Sequence, residues 1–286
     1  MAANDQQPSE APVHHFRFGV VAAPHGSAQE WLGTARRVAD LGYSTLLSPD
    51  GAGMHAPFVA LAAAAAAVPR LRVATFVLAA PLRPPRQAAW EGHSLSVLTG
   101  GRFDFGIGTG RPQAQPDAEA FERPWGTGAE RLALVRAAIA ALRERDGEGP
   151  RTPVMVAARG PKALELAADE ADVVALAGGP TATHADLATL AEGLRGRAGD
   201  RADDIELALN LFLVGDEVQP WMRRVMGVDP AQLHRIDSPA AVRGTPREMA
   251  DQLLRRRDAI GVTYYAVDRS FVDSFAPVVE LLAGRA

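Results

Sequence analysis

The amino-acid sequence predicts a closed α/β barrel of eight parallel strands, each followed by a helix, which is the TIM-barrel architecture. Short β-branched or apolar runs alternate with alanine-rich amphipathic stretches, as repeated strand–helix units require. Eight strands can be counted, and 286 residues suit a single barrel, which commonly needs about 250. The alternation alone leaves an open, doubly wound sheet as the competing arrangement.

The predicted strands are the short runs rich in β-branched or apolar residues. They cover residues 16–21, 44–48, 72–78, 102–108, 154–157, 172–176, 205–214 and 263–267. The stretches between them predict helices, several with a proline in the first turn, where the missing N–H is not needed. The predicted helices cover residues 28–41, 57–67, 84–98, 127–145, 161–170, 183–195, 246–260 and 271–282.

Composition excludes several classes of protein. The formal net charge is −4 with acids and bases interspersed, so no basic stripe is available for nucleic acid. The chain has no cysteine, which excludes disulfides and thiolate chemistry and is typical of a reducing compartment, so we expect a cytoplasmic protein. The longest apolar run, residues 60–68, is far shorter than the roughly 20 residues of a membrane span. Residues 1–15 lack the apolar core of a signal peptide, which predicts a flexible lead-in to one domain over residues 16–286.

Two segments exceed ordinary connection length. They are residues 109–126, rich in Pro, Gln and Gly, and residues 215–244, in which a short helix is predicted around residues 221–226. Loops this long in a compact domain are usually functional or mobile. Segment 109–126 follows the fourth strand, and loops that follow strands form the catalytic face of a barrel. We therefore expect this segment to lie beside the site.

Small residues at strand ends mark two candidate ligand-binding loops. Residues 99–110 (TGGRFDFGIGTG) include a strand ending in glycines, which let backbone approach a planar ligand; a tight turn without a ligand fits this motif equally. Residues 156–162 (VAARGPK) end a strand and open a helix at Pro161. The free backbone N–H groups at the N-terminus of that helix, together with the charge of Arg159, would attract an anion. An ordinary connection with solvated cations is the alternative.

Other candidate residues lie at or after predicted strands. Asp50 follows the second strand, where barrel enzymes keep functional groups, but Asp beside Gly is also a common turn former. Thr75 and Phe76 offer a hydroxyl and an apolar wall, with core packing as the simpler account. His55 lies in a glycine-rich loop from which it would reach the pocket as an acid or base. The seven histidines show no metal-ligand spacing, so no metal is predicted.

Absent motifs narrow the chemistry further. The sequence contains neither a Gly-x-Ser-x-Gly elbow nor a P-loop, so serine-based acyl transfer and nucleotide hydrolysis lack support. Redox chemistry carried by a bound cofactor is favoured, because the protein then supplies mainly shape and backbone contacts.

At these residues the sequence resembles the luciferase-like monooxygenase superfamily, and especially its branch that depends on coenzyme F-420, a deazaflavin. The resemblance runs from about residue 16 to residue 284. It is most specific at residues 40–50 (DLGYSTLLSPD) and 101–110 (GRFDFGIGTG). Residues 238–246 and 254–262 look like one F-420-type subgroup. The resemblance implies a bacterial luciferase-like barrel with F-420 as cofactor, or FMN as the alternative.

The same resemblance assigns cofactor-binding positions. Asp50 would lie beside the cofactor ring, and the backbone at Thr75 and Phe76, often with a cis peptide in relatives, would press against it. Thr109 and Gly110 would border the same ring. We expect Gly160 to have the least room for a side chain in the loop that holds the cofactor phosphate in relatives. That loop comprises Ala157, Ala158, Arg159 and Gly160.

Two departures from the family pattern affect the acid–base chemistry. Relatives commonly have histidine after the acid of the second strand, where this chain has Gly51, and some F-420 enzymes carry an acid where this chain has Arg111. Both changes remove familiar proton donors. The candidate catalytic residues are Asp50, His55 and Arg111.

These observations predict an F-420-dependent oxidoreductase that transfers hydride to or from a small organic or natural-product substrate. Reduction of an alkene, an imine or a dehydroamino acid, including one in a modified peptide, is the suggested reaction, by analogy. One alternative is a monooxygenase that uses reduced FMN and oxygen. Another is a non-catalytic flavin-binding paralogue. Relatives are often dimers through barrel-side helices, and the apolar stretch 90–98 would permit a homodimer.

Overall fold

The strands of the computed structural model, which describes residues 14–285, close into a parallel barrel. They are β1 (Arg17–Val21), β2 (Thr45–Ser48), β3 (Arg72–Thr75), β4 (Leu78–Ala79), β5 (Phe103–Gly108), β6 (Val154–Ala158), β7 (Val173–Leu176), β8 (Glu206–Leu211), β9 (Leu213–Val214), β10 (Ala241–Val242) and β11 (Val262–Asp268). Of these, β9 and β10 lie outside the barrel and pair with each other in a separate two-stranded sheet. β1 pairs with β11, and β3 pairs with β5, both in parallel. These pairings close the sheet and confirm the predicted barrel over the open arrangement.

Helices surround the barrel in the predicted order. They are α1 (Ala28–Asp40), α2 (Pro57–Ala67), α3 (Pro85–Leu98), α4 (Gln115–Ala120), α5 (Gly128–Asp146), α6 (Pro161–Glu170), α7 (His184–Ala198), α8 (Pro220–Met226), α9 (Pro230–Arg235), α10 (Pro246–Ile260) and α11 (Val272–Leu282). All eight predicted helices are confirmed, as is the short helix around residues 221–226. No helix of the described chain has the length and apolarity to cross a membrane.

The structure differs from the prediction in two strands and in the two long segments. The third strand is interrupted between β3 and β4, where a cis peptide bond joins Phe76 and Val77. The seventh is interrupted at Phe212, whose N–H donates to the oxygen of Ala240 at 2.8 Å rather than to a barrel strand. The two long segments are also more ordered than predicted, since they contain α4, α9 and β10. Elements of two to six residues are too short to show a period in the sequence.

Alanine and valine side chains fill most of the barrel interior, together with the larger side chains of Leu47, Met155 and Tyr264. Burial raises the pKa of Tyr264 to about 12. The interior cluster comprises Leu47, Ala74, Met155, Val173, Ala175, Ala208, Tyr264 and Ala266.

Charged residues plug the amino-terminal end of the barrel. Arg17, at the start of β1, pairs with Glu206 at 2.6 Å and with Asp104 at 3.4 Å, and its guanidinium lies 3.8 Å from the Tyr264 ring centroid. Arg72, at the start of β3, pairs with the other oxygen of Asp104. The plug leaves the opposite, carboxyl-terminal end as the place where a ligand can enter.

Candidate active site

An apolar floor lies at the carboxyl-terminal end of the barrel. Val21, Phe76, Val77 and Ala157 are partly buried and pack on the interior cluster. Gly108 keeps this floor shallow, because a methyl group there would lie 3.2 Å from Cγ2 of Val77 and 3.3 Å from Cβ of Ala157. The surface suits the face of a planar ring, since backbone and short side chains allow close approach.

The predicted residue Thr75 holds the barrel wall behind this floor. Its hydroxyl is fully buried, donates to the oxygen of Gly106 at 2.7 Å and accepts from the N–H of Gly106 at 2.8 Å. A methyl group at Gly106 would lie 1.8 Å from the backbone oxygen of Thr75, so only glycine fits there. The Thr75 hydroxyl is therefore engaged within the wall, and it is Phe76 and Val77 that reach the floor.

Asp50 is held in an ion pair at the rim of the site. Its Oδ1 accepts from Arg83 Nη2 at 2.6 Å, and its Oδ2 accepts from Arg83 Nη1 and from the N–H of Ala79, both at 3.0 Å. The Asp50 side chain is only 2% exposed. The pair fastens the end of β2 to the segment that follows the cis peptide. Both oxygens of Asp50 are thus occupied by protein donors, which makes it a positioning group in this geometry.

Segment 109–126 folds over the rim and is fastened at both ends by Arg131. The Arg131 Nε donates to the oxygen of Thr109 at 3.0 Å and Nη1 donates to that of Gly126 at 2.8 Å. Its guanidinium carbon lies 4.5 Å from the centroid of the Trp125 ring. Trp125 in turn covers Gly110, where a methyl group would lie 2.8 Å from the indole. Thr109 and Gly110 therefore lie under an ordered cover.

The loop after β6 presents a helix N-terminus without a side-chain cap. Gly160 is the N-cap of α6, and no side chain accepts a hydrogen bond there. Helices α1, α5, α7 and α10 have complete capping boxes, whereas α2, α3, α4, α8 and α11 also lack a side-chain cap. The free N–H groups and the positive end of the α6 dipole suit an anion. Ala157 belongs to the floor and Gly160 starts the helix, so an anion site would directly adjoin the ring site.

One expectation about this loop is wrong. A methyl group at Gly160 would meet no atom within 4 Å, and its φ of −86° is open to any residue, so Gly160 is not short of room. Arg159 is exposed beside the start of α7. Hydrogen bonds from Thr183 lower the pKa of Asp186 there, and the charge of Arg159 lowers it further.

The other two candidate catalytic residues lie at the outer edge of this face. The Nε2 atom of His55 is exposed and lies 2.9 Å from the oxygen of Gly26, so this ring nitrogen is engaged with the loop after β1. Arg111 is exposed at the start of segment 109–126. Within residues 14–285, no group of three or more His, Cys, Asp or Glu side chains is placed to hold a metal ion.

Sequence reasoning missed Arg83, Trp125, Arg131 and Asp117. Arg83 and Arg131 act on partners 33 and 22 residues away along the chain, which no local motif reveals. Asp117 lies on α4 with its Oδ2 3.0 Å from the position of a methyl group at Gly51. The absence of a side chain at position 51 was a visible signal, but its consequence depends on the fold of segment 109–126.

Comparison with known proteins gives consistent matches. The family model described as luciferase-like monooxygenase matches residues 12–226. The F-420-dependent glucose-6-phosphate dehydrogenase of Intrasporangium calvum is 28% identical over 238 residues, which are 71% of this chain and 70% of that protein.

Solved structures share the fold at low sequence identity. The F-420-dependent tetrahydromethanopterin reductase of Methanopyrus kandleri superposes with a TM-score of 0.69 at 14% identity, over 94% of this chain and 99% of that one. An F-420-dependent secondary alcohol dehydrogenase in complex with an F-420–acetone adduct superposes with a TM-score of 0.71 at 17% identity, over 93% of this chain and 98% of that one. The EDTA monooxygenase of Chelativorans sp. BNC1 superposes with a TM-score of 0.69 at 12% identity, over 94% of each chain.

Proposed function

Because this chain belongs to the luciferase-like monooxygenase family, we propose that it is an oxidoreductase that binds F-420 at the carboxyl-terminal end of its barrel. It would move a hydride between that cofactor and a small organic substrate. The main support for this proposal is that an apolar floor and an uncapped helix N-terminus adjoin each other, since Ala157 of the floor lies three residues before Gly160, the N-cap of α6. F-420 combines a planar deazaflavin ring with a phosphate-bearing tail, so it matches both parts.

In this proposal the ring lies over Phe76, Val77 and Ala157, and Thr109 and Gly110 border it. The phosphate lies at the start of α6, near Arg159 and Gly160. When bound, the cofactor supplies the hydride chemistry. The protein excludes water with Trp125 and orients the ring by shape, because the carboxylate of Asp50 is already engaged by Arg83.

FMN also has a flat ring and a phosphate, so the geometry suits both cofactors. The preference for F-420 is supported by the likeness to the F-420-dependent dehydrogenase of Intrasporangium calvum, which is 28% identical over 238 residues. The resemblance of residues 238–246 to one F-420-type subgroup adds to it.

Titration of the purified protein with F-420 and FMN, each oxidised and reduced, tests this proposal. We expect F-420 to bind at least about tenfold more tightly than FMN, which corresponds to roughly 1.4 kcal/mol. Equal or tighter FMN binding, with oxygen uptake and peroxide formation from reduced FMN, would instead support the monooxygenase. Binding of F-420 without turnover of any tested alkene, imine or alcohol would support the non-catalytic paralogue.

A homodimer through α2 and α3 is also proposed. Large apolar side chains on these neighbouring helices are exposed: Val59 by 70%, Trp90 by 57%, Val97 by 62% and Leu98 by 81%. Apolar groups clustered on adjacent helices are typical of an interface between subunits. Sedimentation or light scattering gives the mass in solution.

A further inference from the structure

Asp117 places a carboxylate beside Gly51, the residue that follows Asp50. A methyl group at Gly51 would lie 3.0 Å from Oδ2 of Asp117 and 3.5 Å from Cε of Met54. The residue after Asp117, Ala118, is fully buried against Ala79 and Leu82. The position of α4, and with it that of Asp117, is therefore fixed by packing on the segment that Asp50 holds.

The Asp117 carboxylate has no protein partner among residues 14–285. It accepts no hydrogen bond from them, and no Lys, Arg or His nitrogen lies within 4.0 Å of it. Asp50, by contrast, has both oxygens bound by Arg83 and the Ala79 N–H. Asp117 is half-buried, and a carboxylate partly removed from water is stabilised by a cation or a hydrogen-bond donor.

Neighbouring contacts place Asp117 at the rim of the proposed site. Gly51 directly follows Asp50, whose Oδ2 binds the Ala79 N–H. The Cβ atom of Ala79 lies 3.4 Å from the position of a methyl group at Gly110, a residue proposed to border the ring. A substrate above the ring would therefore meet the Asp117 carboxylate on this side.

We propose that Asp117 is a specificity-determining residue whose carboxylate binds a protonated nitrogen of the substrate, an amine or an iminium. This inference rests on the proposed function, because it assumes that a substrate lies over a ring at this end of the barrel. A protonated nitrogen balances the charge of the carboxylate and donates a hydrogen bond to it. A hydroxyl only donates the hydrogen bond, so it leaves the partly buried charge uncompensated.

Binding of matched probes to the F-420-loaded protein tests the inference. Cyclohexylamine, protonated at pH 7, and cyclohexanol have the same ring and differ in charge, and calorimetry gives the Kd of each. We expect the parent protein to bind the amine at least about tenfold more tightly than the alcohol, as a charged hydrogen bond of about 1.5 kcal/mol gives. In Asp117→Asn, which keeps the shape, the two Kd values should become equal.

Two further variants complete the design. Glu119→Gln removes an exposed carboxylate from the same helix and should keep the parent's preference. Gly51→Ala should reduce it, because its methyl group displaces the Asp117 carboxylate. Melting temperatures equal to the parent's show that each variant is folded.

An amine preference that survives in Asp117→Asn overturns the inference while leaving F-420 binding intact. Equal Kd values for the two probes in the parent protein also overturn it, because the carboxylate then does not select a cation. Failure of F-420 to bind the parent protein overturns the proposed function instead, and the titration reveals this before any probe is added.

Discussion

Replacing Arg131 by alanine should free segment 109–126 without unfolding the barrel. Arg131 is the residue that links both ends of this segment, through hydrogen bonds to Thr109 and Gly126, and its guanidinium stacks on Trp125. Its loss should make the cover over Gly110 open more often. The barrel should remain, since Arg131 lies in the first turn of α5 and outside the core clusters.

The size of the effect follows from these contacts. A hydrogen bond from a charged donor contributes about 1.5 to 3 kcal/mol, and a cation–π contact at an exposed site adds about 0.5 to 1 kcal/mol. Arg131 is half-exposed and water replaces part of each bond, so we take about 2 to 3 kcal/mol for the set. Amide hydrogen exchange within residues 109–126 should accelerate by about 30- to 150-fold.

Hydrogen exchange followed by mass spectrometry measures this directly. Arg136→Ala is the control, because Arg136 is exposed on the same helix and should leave exchange in the segment unchanged. Arg131→Lys should fall between the two, since one ammonium cannot span both carbonyls as the guanidinium fork does. If Arg131→Ala exchanges at the parent's rate in residues 109–126, Arg131 does not hold the cover and the reasoning is refuted.

Three other predictions concern stability and assembly. Asp50→Asn breaks a buried ion pair with Arg83 and should lower the free energy of unfolding in urea by about 3 kcal/mol. Asp40→Asn breaks an exposed pair with Arg70 and should lower it by less than about 1 kcal/mol. Equal losses in the two variants would contradict the expectation that the buried pair matters more. In the capping box of α5, the hydrogen bond from the Thr127 backbone, and after it the one from the Thr127 side chain, lowers the pKa of Glu130. The stabilisation that these bonds give is therefore present above the unfolded pKa of about 4.3 and is lost as the pH falls through the folded pKa. Stability should therefore decline below that pH, and Glu130→Gln should decline less steeply, which urea melts between pH 3 and 6 would show. Trp90→Glu should halve the mass seen by light scattering if α2 and α3 form the dimer, and an unchanged dimer would exclude this face.

The fold was accessible from the sequence because its signals are local and repeated. Pro57, Pro161 and Pro246 each stand at the first position of a helix, and the predicted bounds of those three helices match the structure. The strands alternate with these helices, and their number, eight, favours the barrel over the open sheet that the alternation alone also allows. The interruption after Thr75 has no such local signal, and neither do the contacts of Thr75 with Gly106 in the neighbouring strand.

The sequence predicts only those parts of the site that the backbone forms. Glycines and the helix start at Pro161 pointed to a flat ring and an anion, whereas the side-chain roles depend on distant partners. Asp50 is predicted to lie beside the ring, and the sequence gives no sign that Arg83 and the Ala79 N–H bind both its oxygens. Gly160 was expected to be crowded, but a methyl group there would meet no atom within 4 Å, which depends on the path of the loop and is not visible in the sequence.

The affinities of two Gly160 variants for F-420 show whether the cofactor phosphate lies at the N-terminus of α6. Gly160→Ala and Gly160→Asp both fit the open space at the α6 N-terminus, and Asp is a good N-cap that should not lower the melting temperature. Only Asp adds a negative charge where the cofactor phosphate is proposed to lie. We predict that the F-420 Kd of Gly160→Ala equals the parent's and that of Gly160→Asp rises at least about tenfold. Equal Kd values for the two variants would contradict the placement of the phosphate, and with it the proposed cofactor site.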